Sequence, residues 1–339
     1  MRAFQITQFG LENLQLVDLP TPACGDGMVL IRVHATSLNY RDLLMVRGSY
    51  DPRLKMPRIP LSDGAGEVVA VGAGVTRFKA GDRVVGLFLQ NWQDGGPSKE
   101  KSRGGLGGDH DGMLADYVAL PEHGVVHFPA HLRYEEAATL PCAALTAWNA
   151  LFHVAATKPG DTIVIQGTGG VSIFALQFAK LAGARVLGTS SSDKKLDRAK
   201  KLGLDEGLNY KNTPDWSSWV KKQTSGEGAD LIVEVGGAGT LKESMKAVRV
   251  GGTIAQIGVL SSSEERFEVT SVLMRQLRLI GVYVGSHTMM QAMHRVIELS
   301  HMKPVVGKVF PMLESIEAYR YLEQAHHFGK VIISLTSEK

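Results

Sequence analysis

The sequence predicts an α/β protein in which a doubly wound parallel sheet is joined to a mainly β, barrel-like domain. Three observations support this class. The first 125 or so residues consist of short β-rich runs separated by turns, strands alternate with helices from about residue 160, and a glycine-rich turn follows the first of those strands. A chain of 339 residues also has the length of about two domains.

Three runs of β-branched residues define the barrel-like domain. They predict strands at 28–38, 66–75 and 80–88, with a turn at Gly81 and Asp82 inside the last run. Strands this short and closely spaced are typical of an antiparallel barrel. Residues 91–112 interrupt them with a polar, glycine-rich stretch, which predicts a long, mobile surface loop that is either a lid or an excursion without a role.

The second half of the chain alternates between strands and helices. Strands are predicted at 161–167, 184–190, 207–211, 229–237, 252–260 and 277–285, and helices at 171–183, 192–203, 214–224 and 239–249. This alternation indicates βαβ units and a parallel sheet. The final segment predicts a strand at 306–312, a helix at 314–325 and a strand at 329–335, which leaves open a return of the chain to the first domain.

Composition and charge exclude several classes of protein. With 37 lysines and arginines against 34 acidic residues, the net charge is +3, which argues against nucleic acid as the main partner. The 44% hydrophobic fraction excludes a disordered chain. No apolar run approaches the roughly 18 residues of a membrane helix, so no membrane partner is expected. Two cysteines, Cys24 and Cys142, cannot form a disulfide framework, and the N-terminus does not resemble a secretory signal, so a cytoplasmic protein is expected.

The sharpest motif is the glycine-rich turn Gly167-Thr168-Gly169-Gly170-Val171-Ser172, between a predicted strand and a predicted helix. Glycine permits a tight turn and lets a pyrophosphate approach the backbone, while the helix presents free N–H groups and the positive end of its dipole. The spacing is G-x-G-G-x-S, so Ser172 takes the place of the third glycine in the common G-x-G-x-x-G pattern. In this context the motif predicts a dinucleotide cofactor, with an ordinary strand-to-helix turn as the alternative.

The end of the next predicted strand distinguishes NAD from NADP. An NAD site usually has a carboxylate there to bind the ribose 2′-hydroxyl, but residues 188–192 are Gly-Thr-Ser-Ser-Ser. The hydroxyl of Ser190 and the ammonium groups of Lys194 and Lys195 suit a 2′-phosphate. Tyr210 ends the following strand close to the same group. These residues favour NADPH, although Lys195 is also explained as part of a solvated basic helix.

Further motifs cover the whole chain. They are Asn39-Tyr40-Arg41-Asp42, LSDGAGEVVAVG at 61–72, GDRV at 81–84, LPCAALTAW at 140–148, GTGGVS at 167–172 and GGTIAQIG at 251–258. With these motifs in this order, the chain resembles the medium-chain dehydrogenases/reductases, in the zinc-free branch of quinone oxidoreductases and related enoyl and alkenal reductases. The resemblance implies a GroES-like catalytic domain at 1–127 and 303–339, a Rossmann domain at 128–302 that binds NADP(H), and an active site in the cleft between them.

The resemblance also bears on zinc. Zinc-dependent relatives bind catalytic zinc at three positions, which correspond here to Asn39, Ser62 and Cys142. Only Cys142 is a good zinc ligand, and a catalytic site needs about three protein ligands, so no catalytic zinc is expected. The structural-zinc lobe of those relatives corresponds to 91–112, which contains no cysteine. The Asp-His-Asp sequence at 109–111 could chelate a metal weakly, but a solvated loop is the better interpretation.

The missing zinc ligands favour one class of reaction. Oxidation of an alcohol requires loss of the hydroxyl proton and stabilisation of an alkoxide, which zinc provides as a Lewis acid. Reduction of a quinone or an α,β-unsaturated carbonyl needs only hydride, hydrogen-bond donors for the oxyanion and a proton source. We therefore expect a zinc-independent, NADPH-dependent reductase of small quinone or carbonyl substrates. The alternatives are an NADP-dependent alcohol or aldehyde oxidoreductase and a catalytically idle NADPH-binding or nucleic-acid-binding protein.

Asn39, Asp42 and Tyr50 are the candidate catalytic residues. By resemblance, Asn39 lies near the nicotinamide and could hydrogen-bond substrate or cofactor; a loop-capping amide is the alternative. Asp42 either orients Asn39 or caps the following helix. Tyr50, like Tyr40, has a hydroxyl that could polarise a carbonyl, although packing explains each of them better.

The nicotinamide end of the cofactor is assigned to two strand ends and one helix. Gly258 and Val259 end a predicted parallel strand, where nucleotides lie in open α/β sheets. By resemblance, Tyr283 and Gly285 flank the nicotinamide and Thr146 approaches it, with a helix-interior threonine as the alternative for Thr146.

The segment 277–285 also predicts how the chain assembles. It is apolar and reads as the last, edge strand of the parallel sheet, whose unpaired N–H and C=O groups a second copy can satisfy. The resemblance points the same way, so we expect a homodimer or a tetramer built from it. The alternative is that 286–302 covers this strand within the same chain.

Overall fold

The computed structural model describes residues 1–260 and 269–336. The chain divides into two compact units, Met1–Leu145 with Val284–Lys339, and Thr146–Tyr283. The first unit therefore extends beyond the predicted domain boundaries at 127/128 and 302/303, and the functional assignment of the two domains stays a prediction.

The N-terminal part of the first unit is built mainly from strands. These are β1 (Arg2–Ile6), β2 (Leu14–Asp18), β3 (Met28–Leu38), β4 (Asp63–Val71), β5 (Arg83–Gly86), β6 (Tyr117–Pro121) and β7 (Val125–His127). Helix α1 (Tyr40–Val46) follows β3, and the short helix α2 (Tyr134–Ala137) follows β7. Helix α3 (Leu145–Trp148) comes next in the chain, between π-helical turns at Leu140–Ala144 and Asn149–Val154.

The second unit alternates strands and helices, as the sequence predicts. In chain order they are β8 (Thr162–Gln166), α4 (Gly170–Leu181), β9 (Arg185–Ser190), α5 (Asp193–Lys200), β10 (Glu206–Asn209), α6 (Trp216–Gln223), β11 (Ala229–Glu234), α7 (Ala238–Ala247), β12 (Val248–Gln256), α8 (Val269–Met274) and β13 (Arg278–Gly281). The chain then forms α9 (His287–Ser300), β14 (Val306–Pro311), α10 (Ser315–Glu323) and β15 (Lys330–Ser334), which belong to the first unit.

The large sheet of the first unit includes the last strand of the chain. Its order is β14-β15-β3-β4-β5-β7, and β6 also pairs with β3. Strand β15 runs antiparallel to β3, with Val331 opposite Leu38, so the final strands do return to the first domain. The side chains of Ile31, Val68 and Val84 are buried in one core on this sheet. Because Lys330 immediately precedes Val331, it lies beside the point where β3 leads into α1.

All six strands of the second sheet are parallel, in the order β10-β9-β8-β11-β12-β13. Counted from β8, this is the 3-2-1-4-5-6 order of a doubly wound, Rossmann-type sheet. Val164, Leu187 and Ile232 come from neighbouring strands and are buried in its core. The predicted fold class is therefore confirmed. Among the described residues, none of the helices has the length and apolar character needed to cross a bilayer.

Two stretches differ from the sequence predictions. Strand β13 ends at Gly281 rather than at 285, and the backbone at Val284 has a φ of 55°, outside the extended region. The predicted loop at 91–112 is held by its own contacts: the buried Trp92 indole donates to the Gly95 carbonyl at 2.9 Å, and the Asp109 carboxylate accepts from the Gly104 N–H at 2.6 Å. Asp109 therefore stabilises a turn within this stretch.

Candidate active site

The glycine-rich turn has the geometry that its sequence predicts. Gly167 follows β8 with a φ of 69°, a left-handed conformation that favours glycine, and its N–H donates to the Thr189 carbonyl at 2.7 Å. Helix α4 begins at Gly170, with Gly169 as its N-cap. Ser172, in the third glycine position, is buried and donates its hydroxyl proton to the Gln166 carbonyl at 2.6 Å. This bond ties the first turn of the helix to the end of the strand.

The residues predicted to select the cofactor lie at neighbouring strand ends. Ser190 is the last residue of β9, and its carbonyl accepts from the Tyr210 N–H at 3.0 Å. The Ser190 hydroxyl accepts from the Ser192 N–H at 3.3 Å, while the Tyr210 side chain is exposed. Lys195 lies in the first turn of α5 and is half-buried, and this burial lowers the pKa of its ammonium. The structure thus brings Ser190 and Tyr210 together beside the start of α5.

The residues assigned to the nicotinamide end of the cofactor are divided between the two units. Gly258 lies just past β12, where an added Cβ would come within 2.0 Å of the Val235 carbonyl oxygen, so only glycine fits. Val259 and Tyr283 are exposed, and Thr146 is buried in the second unit. Gly285 belongs to the first unit, where an added Cβ would lie 3.0 Å from Leu145.

Asn39 and Asp42 meet at the start of α1. Asn39 is the N-cap residue, and its backbone N–H donates to Asp42 Oδ2 at 2.8 Å. Both side chains are buried. Asp42 therefore holds the backbone of Asn39 in a capping box at the start of the helix, and this bond does not reach the Asn39 amide. The catalytic assignment of Asp42 stays a prediction.

Lys330 completes the site, and sequence reasoning missed it. Its side chain is buried, with 3% of its surface exposed, and its ammonium donates to the Leu38 carbonyl at 2.6 Å and to Asn39 Oδ1. In the sequence, Lys330 immediately precedes the apolar residues 331–333 of a predicted strand. A lysine that is buried with such a strand needs polar or charged partners. Identifying those partners required the pairing of β15 with β3.

A chain of hydrogen bonds continues from Asn39 to the end of the β-rich unit. Asn39 Nδ2 lies 3.5 Å from Ser62 Oγ, and the Ser62 hydroxyl donates to Asp63 Oδ1 at 2.8 Å. The other oxygen of Asp63 accepts from the Cys142 N–H at 3.1 Å. We call Asn39, Asp42, Ser62, Asp63, Cys142 and Lys330 the buried polar cluster.

Burial dominates the electrostatics of this cluster. It raises the pKa of Asp63 to about 6, and it also raises the pKa of the Asp42 carboxyl. Burial lowers the pKa of Lys330, while the nearby Asp63 carboxylate acts in the opposite direction. Arg41, which donates to Asp42 Oδ1 at 3.3 Å, supplies a second positive charge. Two acidic and two basic side chains therefore compensate one another inside the first unit.

Tyr50, the third candidate catalytic residue, has different neighbours. Its exposed ring lies under the Arg41 guanidinium, with 5.3 Å from Arg41 Cζ to the ring centroid. The structure therefore places Tyr50 against Arg41 rather than in the buried polar cluster. Tyr319 of α10 is a further tyrosine that the sequence did not suggest; it is fully buried, and within the described residues its hydroxyl has no hydrogen-bond partner.

The residues at the three mapped zinc positions do not fit a zinc ion. The only amide oxygen of Asn39 already accepts from the Lys330 ammonium, and a dication would lie beside that charge. Burial, followed by the Asp63 carboxylate, raises the pKa of the Cys142 thiol, which disfavours the thiolate that zinc binds. In the described part of the chain, no three His, Cys, Asp or Glu side chains form a potential metal site.

Two family models match the chain. The model "Alcohol dehydrogenase GroES-like domain" matches residues 25–130, and "Zinc-binding dehydrogenase" matches residues 170–298. A zinc-type alcohol dehydrogenase-like protein of Schizosaccharomyces pombe is 45% identical over 96% of both chains. The human quinone oxidoreductase is 28% identical over 99% of this chain and 98% of its own.

Solved structures that resemble this chain are also alcohol dehydrogenases or nicotinamide-cofactor proteins by their descriptions. A putative alcohol dehydrogenase of Sinorhizobium meliloti superposes with a TM-score of 0.92 at 39% identity, over 98% of each chain. An NAD-dependent alcohol dehydrogenase has a TM-score of 0.92 at 37% identity, over 99% of this chain and 100% of its own. A mycobacterial protein complexed with NADPH has a TM-score of 0.84 at 27% identity, over 98% and 100%.

Proposed function

The chain belongs to the medium-chain dehydrogenase/reductase superfamily, and from that premise we propose that it is an NADPH-dependent, zinc-independent reductase of quinones or α,β-unsaturated carbonyls. The family makes it an oxidoreductase that uses a nicotinamide cofactor and a small-molecule substrate. The observation that carries the finer proposal is the hydrogen bond from the Lys330 ammonium to Asn39 Oδ1. It sets an ammonium against Asn39, the residue at a position where zinc-dependent relatives have a metal ligand.

The cofactor is assigned to the residues that the sequence indicated. The turn Gly167, Thr168, Gly169, Gly170 and Val171 would hold the pyrophosphate at the start of α4. The 2′-phosphate would lie against Ser190, Lys195 and Tyr210, and the nicotinamide end against Thr146, Gly258, Val259, Tyr283 and Gly285. NADPH, when bound, supplies the hydride.

The choice of NADPH over NADH rests on chemistry at the end of β9. Residues 190–192 are all serines, so this strand end lacks the carboxylate that usually binds the ribose 2′-hydroxyl of NAD. The hydroxyl of Ser190 and the ammonium of Lys195 can instead bind a phosphate. Relatives point in both directions, since one similar structure is described as NAD-dependent and another contains NADPH.

The protein's own part in the reaction is binding, orientation and stabilisation of charge. Reduction of a quinone or an activated C=C bond places negative charge on the carbonyl oxygen, and a hydrogen-bond donor aimed at that oxygen lowers the barrier. The Nδ2–H group of Asn39 is such a donor in the buried polar cluster. The proton that completes the reduction comes from water or a hydroxyl.

An alcohol or aldehyde oxidoreductase is the second candidate. The 45% identical relative is named zinc-type alcohol dehydrogenase-like, which favours it. The misfit of Asn39, Ser62 and Cys142 to zinc opposes it, because without a Lewis acid an alkoxide lacks its usual stabilisation.

One assay distinguishes these candidates from each other and from an idle binding protein. NADPH and NADH oxidation is followed at 340 nm with matched quinones, enones and aldehydes, and NADP⁺ reduction with alcohols. We expect turnover with quinones or enones and NADPH, and at least tenfold lower kcat/KM for alcohols and aldehydes. Faster alcohol oxidation than enone reduction would support the second candidate, and cofactor binding without turnover would support the idle protein.

We further propose a cytoplasmic homodimer, which could pair into a tetramer. In the described residues both cysteines are free thiols, which suits a reducing compartment. The dimer proposal rests on β13, which lies at the edge of the parallel sheet.

A further inference from the structure

We propose that Lys330 is a positioning residue that holds the Asn39 side-chain amide in one orientation. The ammonium binds Oδ1, and the Nδ2–H group is thereby turned to the opposite side, towards Ser62 and Asp63, where a substrate oxyanion can compete for it. The nature of that acceptor rests on the proposed function, whereas the clamp itself follows from the contacts of the buried polar cluster.

The orientation of the amide follows from the chemistry of the two groups. An ammonium has three donors and no acceptor, and a carboxamide has one acceptor oxygen and one donor nitrogen. The Lys330 Nζ atom can therefore face only Oδ1 of Asn39. Turning the amide by 180° would bring N–H groups against the ammonium, with repulsion and the loss of a charge-assisted hydrogen bond in a buried site.

The fold delivers Lys330 to this place from a distant part of the chain. The antiparallel pairing of β15 with β3 sets Val331 opposite Leu38, so the preceding lysine reaches the junction of β3 and α1. Its bond to the Leu38 carbonyl, at 2.6 Å, anchors the ammonium independently of Asn39. The Asp63 and Asp42 carboxylates favour the charged form of this buried lysine.

The other end of the amide faces Ser62 and Asp63. The distance of 3.5 Å from Nδ2 to Ser62 Oγ is at the long limit for a hydrogen bond, whereas the Ser62 hydroxyl is firmly committed to Asp63 at 2.8 Å. The Asp63 carboxylate also accepts a side-chain hydrogen bond from Asn39, which opposes the rise in the pKa of Asp63. The bond at Oδ1 and the contacts at Nδ2 together hold the amide in one orientation.

The clamp can be tested without activity. The chain has six asparagines, so selective ¹⁵N-asparagine labelling gives six side-chain NH₂ pairs, and Asn39→Asp identifies the one from Asn39. We expect Lys330→Met to move the Asn39 pair and to speed its exchange with water at least tenfold, and Lys330→Arg to restore part of the protection. Lys308→Met is the matched control, because it removes a lysine from the neighbouring strand β14 and should leave the Asn39 pair unchanged. An Asn39 pair unaffected by Lys330→Met would overturn the proposal.

Loss of the buried charge could unfold the first unit, so a charge-balanced comparison is included. Lys330→Met is combined with Asp63→Asn and compared with Asp63→Asn alone, in the same NMR experiment. Replacing Lys330 should again speed the exchange of the Asn39 NH₂ pair with water. Equal spectra for the Asn39 pair in the two proteins would refute the clamp.

A kinetic double-mutant cycle tests whether Lys330 acts through Asn39. With the best substrate, Lys330→Met should lower kcat by roughly a hundredfold with KM and the NADPH Kd changed less than threefold. Adding Lys330→Met to Asn39→Ala should then lower kcat no further. Multiplicative losses, or a loss confined to NADPH affinity, would contradict a positioning role. If no acceptor is reduced at all, the proposed function fails, while the NMR result still decides the clamp.

Discussion

The side-chain amide of Gln166 donates a 2.6 Å hydrogen bond to the Glu234 carboxylate, and this bond joins the carboxyl ends of β8 and β11. These neighbouring strands mark the point where the strand order reverses, which is where nucleotides bind in open α/β sheets. Glu234 also accepts from the backbone N–H groups of Gly236 at 2.8 Å and Gly237 at 3.0 Å. One fully buried carboxylate therefore organises the turn after β11 and supports the start of the glycine-rich turn.

Replacing Glu234 with alanine should destabilise this unit and weaken cofactor binding together. Several buried donors would lose their acceptor, and each charge-assisted bond contributes about 1.5–3 kcal/mol. We expect about 3 kcal/mol lower free energy of urea unfolding and at least tenfold weaker NADPH binding by fluorescence titration. The control is Glu227→Ala, an exposed glutamate of the same unit. A change below 1 kcal/mol in Glu234→Ala would show that water replaces the carboxylate.

Lys195→Ala tests the cofactor preference. One charge-assisted contact to a 2′-phosphate contributes about 1.5–3 kcal/mol, so NADPH affinity should fall more than tenfold while NADH affinity changes little. Both are measured by titration of the purified protein. Lys200→Ala is the matched control, because Lys200 is exposed at the other end of the same helix. Equal affinities of the unmodified protein for NADH and NADPH would defeat the NADPH assignment.

Activity should be independent of metal. The residues at the three mapped positions do not fit zinc, and the Lys330 ammonium disfavours a dication beside Asn39. Exhaustive dialysis against a strong chelator should leave kcat unchanged, and elemental analysis should find well under one zinc per chain. One tightly bound zinc that is removed together with activity would reverse this conclusion.

Some of this organisation is visible in the sequence because it is local. The β-branched run 28–38 coincides with β3, in which Val29, Ile31 and Val33 alternate on the buried face. The glycine-rich turn is recognisable because its residues are consecutive and its context is a strand and a helix. The alternation of short apolar strands and helices predicts a parallel sheet in the same way, and the six parallel strands confirm that prediction.

The parts that were missed depend on contacts between distant segments. Lys330 and Asn39 are 291 positions apart, and only the register of β15 on β3 brings them together. Glu234 reads as an ordinary acidic residue at a strand end until Gln166 is placed beside it. The extended prediction for β13 failed for another reason: Val282 and Val284 are apolar because they are buried, not because they continue the strand.

His294 should make the protein sensitive to acid. This histidine of α9 is buried, its Nδ1–H donates to the His127 carbonyl at 2.9 Å, and burial lowers its pKa to about 4. As pH falls, the unfolded chain binds a proton at His294 near pH 6.5, whereas the folded chain binds it only near pH 4. The free energy of unfolding therefore decreases as pH falls from about 6.5 towards 4. The lowering of the His294 pKa corresponds to about 3 kcal/mol at the acid end.

His294→Asn separates this effect from other titrating groups. Asparagine can keep a donor towards the His127 carbonyl but does not titrate in this range. Asp63, whose pKa is raised to about 6, acts oppositely: the folded state binds its proton first, so its contribution to stability decreases as pH rises from about 4 to 6. Because Asp63 is common to both proteins, it cancels in the difference. Urea unfolding at pH 4.5–7.5 should show a flatter profile for His294→Asn; parallel profiles would exclude His294 as the source.

Strand β13 lies at one edge of the parallel sheet, where we expect a second copy of the chain to pair. Leu279 in this strand is 37% exposed, and more exposed apolar side chains come from α8, which immediately precedes it: Val269, Leu273 and Met274. An edge strand next to an apolar surface favours pairing between chains. A two-fold axis at this edge would close the interface and produce a homodimer.

The choice of substitution decides whether the dimer test is clean. Val282 is buried and its N–H donates to the Gln256 carbonyl at 2.9 Å, so Val282→Asp would put a carboxylate inside the unit and could unfold it. Leu279→Asp instead places the charge on the exposed edge, and Leu181→Asp, at an exposed leucine ending α4, is the matched control. Sedimentation at micromolar concentration should give a dimer or tetramer for the unmodified protein and the control, and monomers of unchanged melting temperature for Leu279→Asp. A monomeric unmodified protein would refute the dimer, and a Leu279→Asp protein that still assembles would move the interface away from β13.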